Sequence, residues 1–473
     1  TLNIDIADMD GDVEVDTTSA DLLNISTQYV QVGDSEGEAS AIKYYSGSVI
    51  LRGDDEHEVN ASNTLADAEG DFGAWSITTG TGNDTVTGSE GADTITTLAG
   101  GDTITANDGN DIVSAGDGAD TVLGGDGNDS LTVGNGADTV AGGAGNDSII
   151  LTESVSAADV VEYSSDVEVA SEANTSDSDF DEAESGFIDR GQDTITGFTT
   201  GTDTIHLTVV GLNEFVHGTD TDLGLGTATA AGSTAANFGT NVGLIDFDNA
   251  ETGGGLFAAG DVILNFSSPT TTMTEALFEA ALQYTVTGTS GNDTITTGGL
   301  ADTYTVTAGN DVVVLGGGND TLSITEALMI ANSGTTATHD GGAGTNVITL
   351  EAASINIVDA DFARLSNFQT LTLVSGINNI VVSTNATATG IVTINGGTGA
   401  DTISVAAGDK TIALGASDDS AIDTITLTAV TGKNTVTGFV SAQDTFDING
   451  ALKTALSGDT TEVAGDVSAN TNT

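Results

Sequence analysis

The sequence predicts an all-β protein built around a parallel β-roll, or β-solenoid, with additional β-rich, sandwich-like domains and little helix. Three observations carry this expectation. Aspartate recurs every nine residues through a long block, a glycine keeps a fixed place before it, and one aliphatic residue keeps a fixed place after it. A short fixed period marks a solenoid, in which each unit buries its apolar face only against its neighbours.

The aspartates of the block are Asp84, Asp93, Asp102, Asp111, Asp120, Asp129, Asp138 and Asp147. Two residues before them stand Gly82, Gly91, Gly100, Gly109, Gly118, Gly127, Gly136 and Gly145, and two residues after them Val86, Ile95, Ile104, Val113, Val122, Leu131, Val140 and Ile149. The unit reads G-G-x-G-x-D-x-U-x with U aliphatic, most fully in GGDGNDSLT at 124–132 and GGAGNDSII at 142–150. Glycine admits positive φ and lets carbonyls converge in a tight turn, while aspartate supplies a hard anionic oxygen. The x-U-x tripeptide makes a very short strand with one inward side chain.

Two units complete a coil of 18 residues, so turns stack on each side at the strand spacing of about 4.8 Å. Calcium–oxygen distances are about 2.4 Å, so an ion between two stacked turns touches oxygens of both. Asp84, Asp102, Asp120 and Asp138 fall in one stack and Asp93, Asp111, Asp129 and Asp147 in the other. An isolated Gly-Asp pair would be read as a β-turn. Eight units in one register reverse that reading.

These residues resemble the RTX family of glycine- and aspartate-rich nonapeptide repeats. The resemblance implies a parallel β-roll that binds several calcium ions between successive turns, with the glycines and aspartates of the block as metal-site residues. A second, shorter block has Asp293, Asp302, Asp311 and Asp320 at the same spacing, with Ile295, Tyr304, Val313 and Leu322 at the apolar position. Gly291, Gly309 and Gly318 keep the turn position, but Leu300 departs from it at Asp302. A third, GGTGADTIS at 396–404, offers Asp401, after which Lys410 takes the next aspartate position. An ammonium there would replace an ion or close the roll. GGAGTNVIT at 341–349 carries Asn346 instead of aspartate and reads as a turn more than a site.

DTITGFTTGTDTIHL at 193–207 and NTVTGFVSAQDTFDI at 434–448 resemble segments that flank RTX rolls. They are expected to cap a roll, with Phe198 and Phe439 plugging its end. The stretch 362–404 alternates in β fashion and resembles connecting regions of RTX-type bacterial surface-layer proteins. The domains expected are an N-terminal β domain at 1–78, a roll of eight nonapeptides at 79–152, a capping β-rich insert at 153–284, a short roll at 285–330, a solenoid with the third block and cap at 331–450, and a tail at 451–473. Asp8, Asp10 and Asp12 around Gly11 read equally as part of a calcium loop or as a solvated acidic turn. The best helix candidate is 268–284, where Met273, Leu277 and Ala281 fall at helical spacing.

Seven Lys and Arg stand against 71 Asp and Glu, a net charge of −64 that opposes compaction unless cations bind or salt screens it. An acidic surface suited to a salty medium accounts for part of this charge, but not for the positions of the aspartates. So few basic residues disfavour nucleic acid and anionic membranes as partners. There is no cysteine for disulfides or thiolate metal sites. No run of about 20 apolar residues spans a bilayer. The chain opens at Thr1 without a basic-apolar leader, which leaves a removed leader or an export signal elsewhere.

His57, His206, His217 and His339 are scattered, HEVNA at 57–61 lacks the second histidine of a metalloprotease motif, and no nucleophile elbow, P-loop or dinucleotide fingerprint occurs. No enzyme is expected. The resemblance implies a secreted surface-layer protein of a Gram-negative bacterium. Its cofactor would be calcium, and its partners further copies of itself in a two-dimensional lattice bridged by calcium, with outer-membrane lipopolysaccharide as the surface beneath. The rivals are an RTX adhesin or biofilm-matrix fibre, and the calcium-binding carboxyl part of an RTX toxin or hydrolase.

Overall fold

The computed structural model describes residues 73–151, 157–164 and 192–210, most of 262–448, and short strands at 2–5, 24–28, 46–50, 57–61, 214–216, 223–224 and 242–245. Asp8, Asp10 and Asp12, the acidic run at 174–185 and the tail at 451–473 lie outside the described residues. The chain divides into two units, 1–209 with 218–283, and 210–217 with 284–473.

In the first unit, Thr85–Thr87, Thr103–Thr105, Thr121–Asp126 and Thr139–Ala144 pair in parallel on one side of the roll, with partners 18 residues apart such as Val122 and Val140. Thr94–Thr96, Ile112–Asp117, Ser130–Asn135 and Ser148–Ile150 do the same on the other side. The eight U residues lie between the sheets, none more than 2% exposed. Each such side chain contributes roughly 1.5–3 kcal/mol by leaving water. The polar residues on either side of U face outward or lie at the margin, as a two-residue period requires.

The coils continue beyond the nonapeptides. Trp75–Thr78 pairs in parallel with Thr94–Thr96 and with Ser46–Ile50, and His57–Asn60 with Thr85–Thr87 and Leu2–Asp5. Val160–Ser164 follows Thr139–Ala144, and Thr204–Val210 follows Val160–Ser164. Gln192–Thr196 pairs with Ser148–Ile150 on one side and Val262–Ser267 on the other. The boundaries expected at 78 and 152 therefore do not coincide with breaks in the sheets. The segment 193–207 was expected as a lid, yet it supplies two interior strands, and Phe198 is buried edge-on against Phe266 with ring centroids 5.3 Å apart. Several of the described strands of 1–78 and 153–284 extend the parallel sheets of the roll. Among the described strands of this unit, antiparallel pairing is confined to Asn24–Gln28 with Ser46–Ile50, Val242–Ile245 with Val262–Ser267, and Leu223–Gly224 with Val242–Ile245.

The second unit has three columns of parallel strands. One contains Thr303–Thr305, Thr321–Ile324, Val347–Leu350, Thr370–Leu373, Thr393–Asn395, Thr411–Ala413 and Thr435–Thr437. Thr294–Thr296, Val312–Val314 and Thr338–Asp340 form the second, and Asn379–Val382, Thr402–Val405, Thr424–Leu427 and Thr445–Ile448 the third. No sheet breaks at the boundary expected near 330. Coils here lengthen beyond 18 residues, and the surplus folds into short helices, Glu326–Asn332, Thr384–Thr389 and the 3-10 helix Asp359–Arg364. The helix expected over 268–284 is not formed as a whole: helical backbone is described at 277–278, and Leu282–Thr287 is a strand.

Candidate metal centres

All of the repeat aspartates from Asp84 to Asp147 are buried, as are Asp293, Asp302, Asp311, Asp320 and Asp401. Burying a carboxylate is costly unless it is hydrogen-bonded and neutralised. The first need is met by a ladder. The backbone N–H of Asp84 donates to Asp102 Oδ1 at 2.7 Å, that of Asp102 to Asp120 Oδ1 at 2.8 Å, and that of Asp120 to Asp138 Oδ1 at 2.8 Å. On the other side Asp93, Asp111 and Asp129 donate to Asp111, Asp129 and Asp147 at 2.6, 2.8 and 2.8 Å. The second unit repeats the device from Asp293 to Asp311 and from Asp302 to Asp320. The two stacks expected from the spacing are thus tied by one carboxylate oxygen per turn.

The glycines make this stacking possible. Gly136 has φ +139° and Gly118 φ +154°, and a Cβ at Gly136 would overlap the carbonyl oxygen of Gly118 one coil away. Gly82 and Gly91 take the receiving side of such contacts, their carbonyls meeting Gly100 and Gly109.

The second oxygen of the carboxylate behaves differently. Oδ2 of Asp111, Asp120, Asp129 and Asp320 is buried with no hydrogen-bond partner. Burial pushes the Asp111 carboxyl up to about 8, the charges of Asp129, Asp93 and Asp108 adding to the effect while the Asp93 N–H opposes it. Burial likewise raises Asp120, Asp129 and Asp320 to about 7. A Cβ at Gly124 would stand between Asp129 Oδ2 and the carbonyl oxygen of Gly142 in the next coil. The same gap at Gly396 lies 2.6 Å from Asp401 Oδ2 and 3.3 Å from the Ala413 carbonyl. Carboxylate and carbonyl oxygens of successive coils thus converge where a side chain is absent. Among the described residues no three acidic or histidine side chains come together. Any ion held here would therefore be bound largely by carbonyls, which suits a hard cation such as calcium.

A family model, the RTX calcium-binding nonapeptide repeat, matches residues 78–113, 96–131, 114–149, 285–304, 296–323 and 389–421. These segments are RTX repeats. Such nonapeptides are calcium-binding motifs, and the residues here fit the ion: orphaned anionic oxygens, a cradle that a Cβ would fill, and an all-oxygen donor set. No curated protein matches the chain.

The RTX repeats do not exhaust the ladder. Asp159, Asp193 and Asp203 accept the N–H groups of Asp138, Asp147 and Asp159 at 3.0, 2.8 and 3.3 Å, and Asp423 and Asp444 accept those of Asp401 and Asp423. Their sequence separations of 21 to 46 residues hide them from a search at period nine. Asn83, Asn110 and Asn128 form an outer ladder, accepting the N–H groups of Gly101, Asn128 and Asn146. Their recurrence in GND was visible, but its use was not. Leu300 does not break the column: its carbonyl faces Gly318 as a glycine carbonyl does elsewhere, and Gly298 N–H donates to Asp302 Oδ2 at 3.1 Å. Lys410 does occupy the ladder position. It is 3% exposed, its N–H donates to Asn434 Oδ1, its Nζ reaches Thr387 Oγ1 at 3.4 Å, and burial lowers its ammonium below the usual lysine range. Of the histidines, His206 pairs with Glu162 at 3.3 Å, and His339 is buried in the core of the second unit.

Proposed function

We propose that the chain is a secreted structural protein that calcium orders and assembles into a surface layer on a Gram-negative bacterium. The observation that carries the calcium step is the orphaned Oδ2 atoms of Asp111 and Asp129 in stacked turns of one edge and of Asp120 on the other. A bound calcium ion would supply the positive charge those oxygens lack. Asp111 and Asp129 on one stacked edge and Asp120 on the other, with carbonyls such as that of Gly142 beside Asp129, would hold separate ions, while the ladder N–H groups keep each carboxylate turned toward its own gap. Because ligation favours the folded form alone, it stabilises the roll by mass action.

Assembly is supported by the net charge of −64 on a chain with seven basic residues. Copies so acidic repel one another unless divalent ions bridge them. The same bridging would serve between acidic protein and the phosphates of outer-membrane lipopolysaccharide. The reading assigns no catalysis to the chain. Among the described residues, no helix is long and apolar enough to cross a membrane. The test is electron microscopy of purified protein in calcium and in EGTA. Sheets with a two-dimensional repeat in calcium, lost on chelation, are expected. Fibres would assign the chain to a matrix or adhesin, and dispersed particles in calcium would overturn assembly.

A further inference from the structure

Several turns of the same ladder carry no orphaned oxygen, because the chain supplies a proton donor of its own. At Asn346, the ladder position where aspartate is replaced, Oδ1 still accepts the Asp320 N–H at 2.9 Å. Its Nδ2 donates to the carbonyl oxygens of Gly341 at 2.6 Å and Asn367 at 2.9 Å. Gly341 holds the place in its unit that Gly124 holds in the first roll. A Cβ there would meet the Asn346 nitrogen at 2.8 Å and the Asn367 carbonyl at 2.7 Å, where at Gly124 it meets a carboxylate oxygen and the Gly142 carbonyl. The carboxamide nitrogen therefore gathers the carbonyls that a cation would gather. Asn378 does likewise, its Nδ2 donating to Asp401 Oδ1 at 2.8 Å and to the Gly396 carbonyl at 3.4 Å.

Tyrosine achieves the same at Asp293 and Asp311. Tyr304 replaces the aliphatic residue of its unit, and its buried hydroxyl lies 3.4 Å from Oδ2 of each aspartate. A Cβ at Gly288 would strike that hydroxyl and Asp293 Oδ2. Thr289 adds its N–H to Asp293 Oδ2 at 2.8 Å and its hydroxyl to Oδ1 at 2.6 Å. Among the described residues of the first unit, two such donors stand toward the ends of the roll. Ser89 N–H donates to Asp93 Oδ2 at 2.6 Å, and Tyr163 hydroxyl to Asp193 Oδ2 at 2.8 Å.

We infer that the calcium requirement is local: the middle coils of the first roll, around Asp111, Asp120 and Asp129, need the ion, whereas the second unit from Asp293 through Asn378 is held by hydroxyl and amide donors in its place. Asp320 is the described aspartate of that unit whose orphaned Oδ2 stands outside this arrangement, and it allows one residual site. The chelated protein is then a partly folded chain, with a standing second unit and self-satisfied coils at both ends of the first roll to template its middle on calcium addition. This rests on calcium being the ion of the first roll.

Hydrogen exchange of the full chain in calcium and in EGTA, read by peptide, tests it. Peptides within 102–150 are expected to lose protection in EGTA, while those within 338–382 keep theirs. Equal loss in both overturns the inference and leaves the calcium reading intact. Retention in both removes the calcium reading itself. N346D, counted by native mass spectrometry, is expected to bind one ion more than the parent and to make 341–349 calcium-dependent in exchange. An unchanged or lower count for a variant that retains its β circular dichroism contradicts the proposal.

Discussion

Replacing Asp120 with asparagine separates the two jobs of its carboxylate. The ladder bond survives, because asparagine keeps the Oδ1 that accepts the Asp102 N–H at 2.8 Å. The orphaned Oδ2 becomes an NH2 group, the arrangement that Asn346 already uses. Burial, with the neighbouring charges of Asp102, Asp138 and Asp117, raises the Asp120 carboxyl from 3.8 to about 7. Holding it ionised at pH 8 without metal thus costs up to ~4 kcal/mol, and about half that once relaxation and interior screening are allowed for. D120N should remove this cost, raising the melting midpoint in EGTA at pH 8 by roughly 4–8 °C. In calcium the sign reverses, since one ion lost at a hundredfold excess over its dissociation constant forfeits about 2.7 kcal/mol. D120A should be weaker in both conditions, because the Asp102 N–H is left buried and unpaired at about 1–3 kcal/mol. The assay is thermal melting followed by circular dichroism. If D120N melts at or below the parent in EGTA, or gains as much from calcium, the account of the orphaned oxygen is wrong.

At pH 7, Asp111 near 8 is mostly protonated in the metal-free roll and Asp120 and Asp129 near 7 are half so. Calcium binding should therefore release about two protons, a number that calorimetry in buffers of different ionisation heat reads directly and that should vanish by pH 10. His339 fills an aliphatic ladder place between Val313 and Leu365, and burial lowers it to about 4, so its neutral form stabilises the fold. That contribution should be intact above pH 6.5 and be lost as pH falls toward 4, by ~3 kcal/mol; H339L should abolish this acid step in chemical denaturation of the second unit, and an unchanged profile would discount the histidine. G136A must put a methyl onto the Gly118 carbonyl at φ +139°, so it should destabilise the roll by about 1–3 kcal/mol in urea titration, with or without calcium.

Much of the fold was legible because its unit is short and self-similar. Nine-residue spacing of Asp84 to Asp147 placed a strand in each unit of the first roll and the inward side chain at each aliphatic position from Val86 to Ile149. It did not place the second buried position, taken by Ala115 and Val133 in the longer strands. Legibility stopped where coils lengthened. Asp159, Asp193 and Asp203 hold the same ladder position as Asp138 and Asp147, but intervening loops destroy the period while leaving the strand register untouched. The segment at 193–207 read as a lid because its alternation is that of any paired strand, and only the strand Val262–Ser267 lying beyond it shows that the sheet goes on.

The candidate sites divide along the same line. Local sequence alone determined which residues turn, which face the core and which bring carboxylates to the stacked edges, since those properties depend on φ preference, side-chain alternation and a fixed interval. Which carboxylate oxygens lack a partner was decided by tertiary structure. Tyr163 reaches an aspartate 30 residues away and Asn346 a carbonyl 21 residues away. Donors that arrive from another coil leave no mark on the nonapeptide they satisfy.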